Sequence, residues 1–492
     1  MQGLCWNIVV HPIIAGRVAG DVPLALAGVI TPYRQGRTAS APQSDARRCQ
    51  SRSRLARQDQ YKTKEGSGNL DGMAIQHGPP NSSPLTARPG SFNRGARLGI
   101  SLSGTNLERA ADYNQRTVLQ AIRVTGEASR TDLAAITGLT APTIANIARR
   151  LLDAGLISEA GRRQGARGQP ALQLVINPAG GFSIGINIDR DHITIVSLDL
   201  AGTVLTRATL EAAFAMPDVV AGWLREQVAL IRASKLIDER RMLGVGVAMP
   251  DDLGRVTLPH RPSAYESWND IDVQAMVEDI VPWSVHVDND AAAAAIGEAQ
   301  FGSGMVLSSF FYVLVSAGLG GGLVIDGNYF RGAGARSGEI GFMPDMTRRA
   351  AGQTVQETVS LSALYARLSA GGCEIHGIEA LTRDDSAVAA ITERWIEDAA
   401  QSLIEPLIAV SCLVDPDGVL IGGRLPAALV NALVDRLNVM LADTKLPSPA
   451  RVVRAAMSDD APAIGAAILP FLDHILPSEA ILMQAGHVSR ND

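Results

Sequence analysis

The chain has 492 residues, 46% of them apolar, which is too long for one ordinary domain and rich enough for a large core. No run approaches the roughly 20 apolar residues of a membrane helix, and the longest near the start, "VPLALAGVI", lacks the basic lead-in and cleavage site of a secretory leader. The net charge of −6 hides an asymmetry. Residues 1–93 carry 11 Lys/Arg against 5 Asp/Glu, residues 94–170 carry 11 against 6, and the remainder carries 22 against 39. A basic front on an acidic body points to an anionic partner for the front, although a basic tail can also be merely solvated.

Residues 1–105 show neither helical nor strand period. Stretches such as "RTASAPQSDARRCQSRSRLARQDQ" scatter Pro, Ser, Arg and Gln, and the segment reads as disordered. A start at Met73 would omit most of it. Four cysteines, Cys5, Cys49, Cys373 and Cys412, lie far apart with no C-x-x-C spacing. That argues against a zinc finger and a disulfide framework, and fits a reducing cytoplasm.

Order begins near Leu107. "YNQRTVLQAIRVTG" places Val118, Leu119 and Ile122 on one helical face, with Gly126 as its stop. Ser129 or Thr131 caps a short helix, "RTDLAAITG", with Leu133, Ala134 and Ile136 inward. After the turn "GLT" comes "APTIANIARRLLDAG", with Pro142 in the first turn, where its missing N–H costs nothing. Ile144, Ile147, Ala148, Leu151 and Leu152 form its apolar stripe. Strand, basic turn and strand follow in "LISEAGRRQGARGQPALQLVINP". This order predicts a winged helix-turn-helix over residues 106–177. The outward face of the third helix offers Thr140, Thr143, Asn146 and Arg150, with Arg149 at its flank. Hydroxyls, an amide and guanidinium groups suit base edges and phosphates in the major groove of double-stranded DNA. Arg162, Arg163 and Arg167 on the wing would meet backbone or minor groove. A helical module that binds protein is the alternative.

From about Gly181 the pattern changes. "GFSIGINI", "HITIVSLDLAG" and "VLTRATLEA" read as strands joined by tight turns, then a helix through "VVAGWLREQVALIRASK" and a buried strand "LGVGVAMP". "SVHVDND" runs into the helix "AAAAAIGEAQFG". "SAGLGGGLVIDG" follows an apolar strand, Phe310 to Val315, and "GVLIGGRL" is a strand ending in glycines. Alternating strands and helices predict an α/β fold with ligands at the strand tips. No fixed-period repeat is visible. The glycines at 318 and 320–322 suit a phosphate cradle, and equally a tight turn between strands.

The winged helix "SRTDLAAITGLTAPTIANIARRLLDAGLI", then "VDNDAAAAAIGE", "GLGGGLVIDG", "SGEIGF" and "VLIGGRL", resemble in order and spacing the ROK family (repressors, open reading frames, kinases), in particular its sugar-responsive repressor branch. The resemblance spans residues of about 110 to 475. It implies a two-lobed, actin-like sugar-kinase fold over residues 178–476, a flexible tail at 477–492, and a homodimer or homotetramer.

Family kinases hold ATP with two loops. At the place of the first, which reads Asp-x-Gly-x-Thr, this chain has "NIDRDHI". Asn187 stands at the Asp, Asp189 and Arg190 replace glycines, and Asp191 stands at the threonine. Two carboxylates and no glycine oppose a triphosphate, so ATP is not expected as a cofactor and Asp290, the kinase-base equivalent, is not expected to act as a catalyst. On the sugar side, the resemblance assigns Asn289, Asp290, Glu339 and Glu357 to a carbohydrate effector; Asn289 and Asp290 also suit a helix N-cap. Phe342 replaces the family's zinc-binding histidine, and "MPDMTRRAAGQTVQ" has none of its three cysteines, so no zinc site is expected there. The Pro-Asn loop is altered to "RPSAYESW". The readings are a cytoplasmic transcriptional repressor of carbohydrate genes, a sugar kinase, or a regulator answering to a protein partner without a sugar.

Overall fold

The computed structural model describes residues 107–163, 171–255, 261–348, 352–375, 377–382, 385–457 and 460–477. The expectation for residues 1–105 lies outside them, as does all but the first residue of the predicted tail 477–492.

The first module is built as its apolar periods dictate. Helix α1 (Leu107–Thr125) buries Val118, Leu119, Ala121 and Ile122. Strand β1 (Glu127–Ser129) leads into α2 (Arg130–Thr137), whose N-cap is Ser129, in a capping box with Asp132. Two orphan backbone N–H groups are thereby satisfied reciprocally. Only Leu133 of α2 is buried; Ile136, expected inward, is 54% exposed. An eight-residue helix has barely two turns, too few for a continuous buried stripe. Helix α3 (Ala141–Asp153) is capped by Thr140 and buries Ile144, Ile147, Ala148 and Leu151. Strands β2 (Ile157–Arg163) and β3 (Ala171–Ile176) pair antiparallel, and β1 adds to β3.

The body contains two five-stranded sheets. The first has β4 (Phe182–Ile188), β5 (His192–Asp199), β6 (Val204–Glu211), helix α4 (Pro217–Ser234), β7 (Met242–Met249), helix α5 (Val273–Glu278) and β8 (Val285–Asn289). Helix α6 (Asp290–Phe301) follows. The second has β9 (Phe310–Val315), β10 (Leu319–Ile325), β11 (Asn328–Tyr329), helices α7 (Leu361–Ala370) and α8 (Ser386–Val414), β12 (Gly418–Gly423), α9 (Ala427–Ala442) and β13 (Val452–Arg454), with α10 (Ala461–His474) last. The sheet orders are β6-β5-β4-β7-β8 and β11-β10-β9-β12-β13. Each is an antiparallel meander of three strands extended by two parallel ones. The two lobes thus share one topology, a duplication that no sequence period announces. The α/β, two-lobed expectation holds.

Small residues let α6 and α10 lie between the sheets. A side chain at Gly185 of β4 or Gly246 of β7 would run into the backbone of α10 at Ala463, Ala466 or Ala467, and one at Gly465 would strike the Ala293 carbonyl of α6. The glycines of β10 belong to the same construction. Gly320 faces Ala291, and a Cβ on Gly322 would lie 2.6 Å from that of Ala295. Only Ser316–Gly318 forms the turn; Gly320, Gly321 and Gly322 sit inside the strand, paired with Leu314, Val313 and Tyr312. Close approach of helix to strand therefore accounts for Gly320 and Gly322, and close approach of the Gly338 backbone for Gly321.

The helix-turn-helix module is fastened to the body through two helix C-termini. Arg116 of α1 donates to the carbonyls of Asp473 (2.7 Å), Leu472 and Leu476 at the end of α10. Arg123 donates to the Gln300 carbonyl and to its side chain (2.5 and 2.6 Å) and lies 4.3 Å over the Phe301 ring at the end of α6. Unsatisfied carbonyls and the negative end of the macrodipole favour a cation there. Burial pulls the Arg123 guanidinium down to about 10.

Candidate functional site

On the winged module, Thr140, Asn146, Arg149 and Arg150 are exposed and Thr143 is half-buried, opposite the buried stripe of α3. Thr140 does double duty. Its Oγ1 caps the helix by accepting from the Thr143 N–H and lies 2.9 Å from the Thr143 hydroxyl. Arg149 donates to Asn146 Oδ1 at 2.5 Å, so amide and guanidinium present one polar patch. Arg163 ends β2 opposite Ala171; its side chain, and Arg167 entirely, lie outside the described residues.

The inter-lobe cleft has two compartments that share Arg190 as a wall. The sugar-side recess, of about 40 Å³, is lined by Asp251, Asn289, Asp290, Glu339 and Gln356, with Phe342 at its rim. Asp290 opens α6 and is almost wholly buried. Burial first, then the Asp189 charge, push its carboxyl up to about 7, against Arg190 and the Ala291 N–H. Asn289 caps α6: its Oδ1 accepts from Ala291 and Ala292 at 2.9 and 3.1 Å. Its side chain also hydrogen-bonds the Asp251 carboxylate, which ties the helix cap to the recess. Glu339 and Asp251 are both raised, chiefly by burial and then by neighbouring charges. Carboxylates gathered this way repel one another until hydroxyl donors or protons arrive.

Glu357 stands apart. It is exposed, and its carboxylate closes a capping box with Thr354; Gln356, one residue earlier, is the side chain that reaches the recess. Period decides this, since neighbours in a 3-10 turn point about 120° apart. Phe342, at the place of the family's histidine, is 56% exposed. The cysteine-free segment after it is organised by Asp345, fully buried, which accepts from the hydroxyls of Thr347 (2.6 Å), Thr358 and Ser402 (2.8 Å each). Burial works against this carboxylate, yet the hydrogen bonds together hold it below its usual value.

The second compartment, about 700 Å³, lies on the other side of Arg190. Arg424, just after β12, donates to Asp191 (2.9 Å) and Glu211 (2.6 Å) of the other lobe. Asp191 is also 2.7 Å from His192 Nδ1. Burial opposes its charge, but His192 and Arg424 prevail and bring it to about 2. Asp191 thus does more than repel phosphate: it latches the lobes. Sequence reading missed Arg424, because a partner 233 residues away leaves no local signal. Among the described residues, two groups bring three potential metal-ligand atoms within 4.8 Å of one another: Asp189, Asp191 and His192, and His286, Asp473 and His474. In the first, Asp191 is already committed to His192 and Arg424.

A winged helix-turn-helix on a duplicated, two-lobed body with a carboxylate-lined cleft defines a sugar-kinase-like protein carrying a DNA-binding module. Comparison places it more closely. The ROK family model matches residues 183–471, and the chain belongs to that family. A winged helix-turn-helix DNA-binding model matches residues 112–158. The chain is 29% identical over 368 residues to the uncharacterized protein y4fQ of Sinorhizobium fredii, covering 73% of this chain and 90% of that one. It is 27% identical over 231 residues to the xylose repressor of Bacillus subtilis, covering 47% of this chain and 60% of the repressor. The crystal structure of a ROK family transcriptional regulator, a homolog of the E. coli MLC protein, superposes with a TM-score of 0.55 at 22% identity, over 77% of this chain and all of that one. That likeness establishes the fold. No described helix is long and apolar enough to cross a membrane.

Proposed function

We propose that this protein is a sugar-responsive, DNA-binding transcriptional repressor without kinase activity. One observation carries the reading. Helix α6 has Asp290, in the sugar-side recess, as its first residue, and Gln300 and Phe301, which hold Arg123 of the DNA-binding module, at its other end. Twelve helical residues span about 18 Å as a rigid rod. An effector that tugs or turns the start of α6 therefore displaces α1 directly. In a dimer that motion would change the spacing of the two recognition helices, to which half-site binding is sensitive. The similarity to a xylose repressor supports a carbohydrate as effector. Asp189, Asp191 and the Arg424 latch argue against triphosphate binding, and ATP-dependent phosphorylation of hexoses is expected to be absent.

The experiment is a DNA-binding titration on the operator and on scrambled DNA, with and without saccharides. Asn146→Ala should weaken operator binding by about 1–3 kcal/mol and relax sequence preference. Arg167→Ala, if Arg167 meets only phosphate, should weaken all DNA alike and lower the salt slope by about one unit. Arg123→Gln should keep operator binding and lose its release by sugar. If Asn146→Ala and Arg167→Ala both bind operator like the parent, the module is not the DNA-contacting surface. If Arg123→Gln responds to sugar normally, α6 is not the coupling element.

A further inference from the structure

We propose that the large compartment beyond Arg190 is a second carbohydrate subsite, so that the effector is a neutral saccharide of two or more rings lying across Arg190. The proposal rests on the sugar-responsive reading above and extends it. Volume is the first argument. The recess at Asp290 offers about 40 Å³, whereas the compartment beyond Arg190 offers about 700 Å³. Ligand sites for small molecules occupy roughly 300–1,000 Å³, so the recess alone holds little more than the groups that touch Asp290, and the room for a further ring lies beyond Arg190.

The wall between them is the second argument. The Arg190 side chain is 9% exposed, lies 3.6 Å from Asp189, and has a buried Nε with no hydrogen-bond partner among the described residues. A buried guanidinium donor left open costs free energy unless a ligand acceptor meets it. Sugar hydroxyls are such acceptors.

The third argument is Phe214, on the far wall. It holds φ at +52°, which is rare for a bulky side chain and marks backbone strain kept for a reason. The Phe214 N–H donates to the Arg190 carbonyl, the Ala212 N–H donates to Asp191, and the ring packs edge-on against Tyr265 at 5.2 Å. Its position is thus tied to the same turn that carries Arg190. Across the compartment stands Tyr365, whose hydroxyl has no hydrogen-bond partner among the described residues. Aromatic walls with a few polar groups suit the C–H faces and hydroxyls of a sugar ring.

Charge decides against a nucleotide here. Arg424 is already committed to Asp191 and Glu211, and among the described lining residues Asp191, Glu211 and Glu374 outnumber Arg190 and Arg424, which opposes a di- or triphosphate more than a neutral ligand. A saccharide here would touch both lobes, through Phe214 on one and Tyr365 on the other, and would reach Asp290 past Arg190.

The test is calorimetric titration of the full chain with xylose, glucose, xylobiose, cellobiose, maltose and Mg·ATP. At least one disaccharide should bind about tenfold or more tighter than its monosaccharide. Ala366→Trp, which fills the compartment from an exposed position on α7, should erase that advantage and leave monosaccharide affinity unchanged. Tyr365→Phe should reduce it. Equal affinities for mono- and disaccharides, an advantage that survives in Ala366→Trp, or ATP binding tighter than every saccharide would overturn the subsite. Monosaccharide binding that depends on Asp290 with no gain from a second ring would sink the subsite alone. A panel in which no saccharide binds overturns both the subsite and the sugar-responsive reading.

Discussion

The two sides of Arg190 were shaped by opposite demands. On the sugar side, Asp290, Asp251 and Glu339 crowd together with raised pKa values and few partners of their own. On the other side, Asp191 is half-buried and sits near 2, satisfied by His192 and Arg424. The same residue type is frustrated in one compartment and content in the other. A frustrated carboxylate waits for a ligand; a satisfied one holds the lobes together. The difference teaches that one compartment has its carboxylate tied into the structure, while the other keeps unrelieved charge beside an open recess.

The sharpest way to break this comparison is to remove Arg424. Arg424→Ala should destabilise the protein by about 2–4 kcal/mol, because it leaves half-buried Asp191 with His192 alone and Glu211 without its partner. Denaturant unfolding measures it. The loss should be full near neutral pH, since a depressed carboxylate contributes its stability above its unfolded value and forfeits it only as pH falls from about 4 towards 2. A change under about 1 kcal/mol would mean the latch is merely a surface pair.

Asp290→Asn should act in the other direction. Its raised pKa favours the folded state at low pH and costs stability as pH climbs from about 4 through 7. The variant should therefore be more stable than the parent by about 2–4 kcal/mol above pH 7, the gap closing as pH falls towards 5, while its response to sugar is lost. Thermal melts across pH 5–8.5 decide it. A variant no more stable at pH 8 would show that Asp290 is already satisfied.

The glycines supply the smallest effects. Gly321→Ala places its Cβ on the Gly338 carbonyl and should cost about 1–3 kcal/mol by overpacking. Gly318→Ala meets only the end of the Arg190 side chain, at 3.2 Å, and should cost under about 1 kcal/mol. The reverse order would restore a special role to the turn.

Much of this was legible beforehand. The buried stripes of α1 and α3, the strands of the first lobe and the start of α6 at Asn289 and Asp290 all lie in local periods of 3.6 or 2 and in cap chemistry. Local pattern misjudged Ile136, because a short helix lets one apolar residue face out; the resemblance assigned Glu357, whereas Gln356 lines the recess, because family spacing cannot resolve one step of a 3-10 turn. It read Asp189 and Asp191 as repulsive, since only their spatial partners show that Asp191 is neutralised.

By itself, then, the sequence determined the module order, the helix-turn-helix with its buried stripe and polar outer face, and a segment after Phe342 without cysteine, since each depends on residues a few positions apart. The tertiary structure alone decided the duplicated lobes, the Arg424 latch, the grip of α6 and α10 on the DNA-binding module, and the division of the cleft at Arg190. Those depend on pairs such as Arg123 with Gln300 and Asp191 with Arg424, whose separation in the chain is 177 and 233 residues. Chain closure over such distances is settled by the packing of whole elements, and no local pattern encodes it.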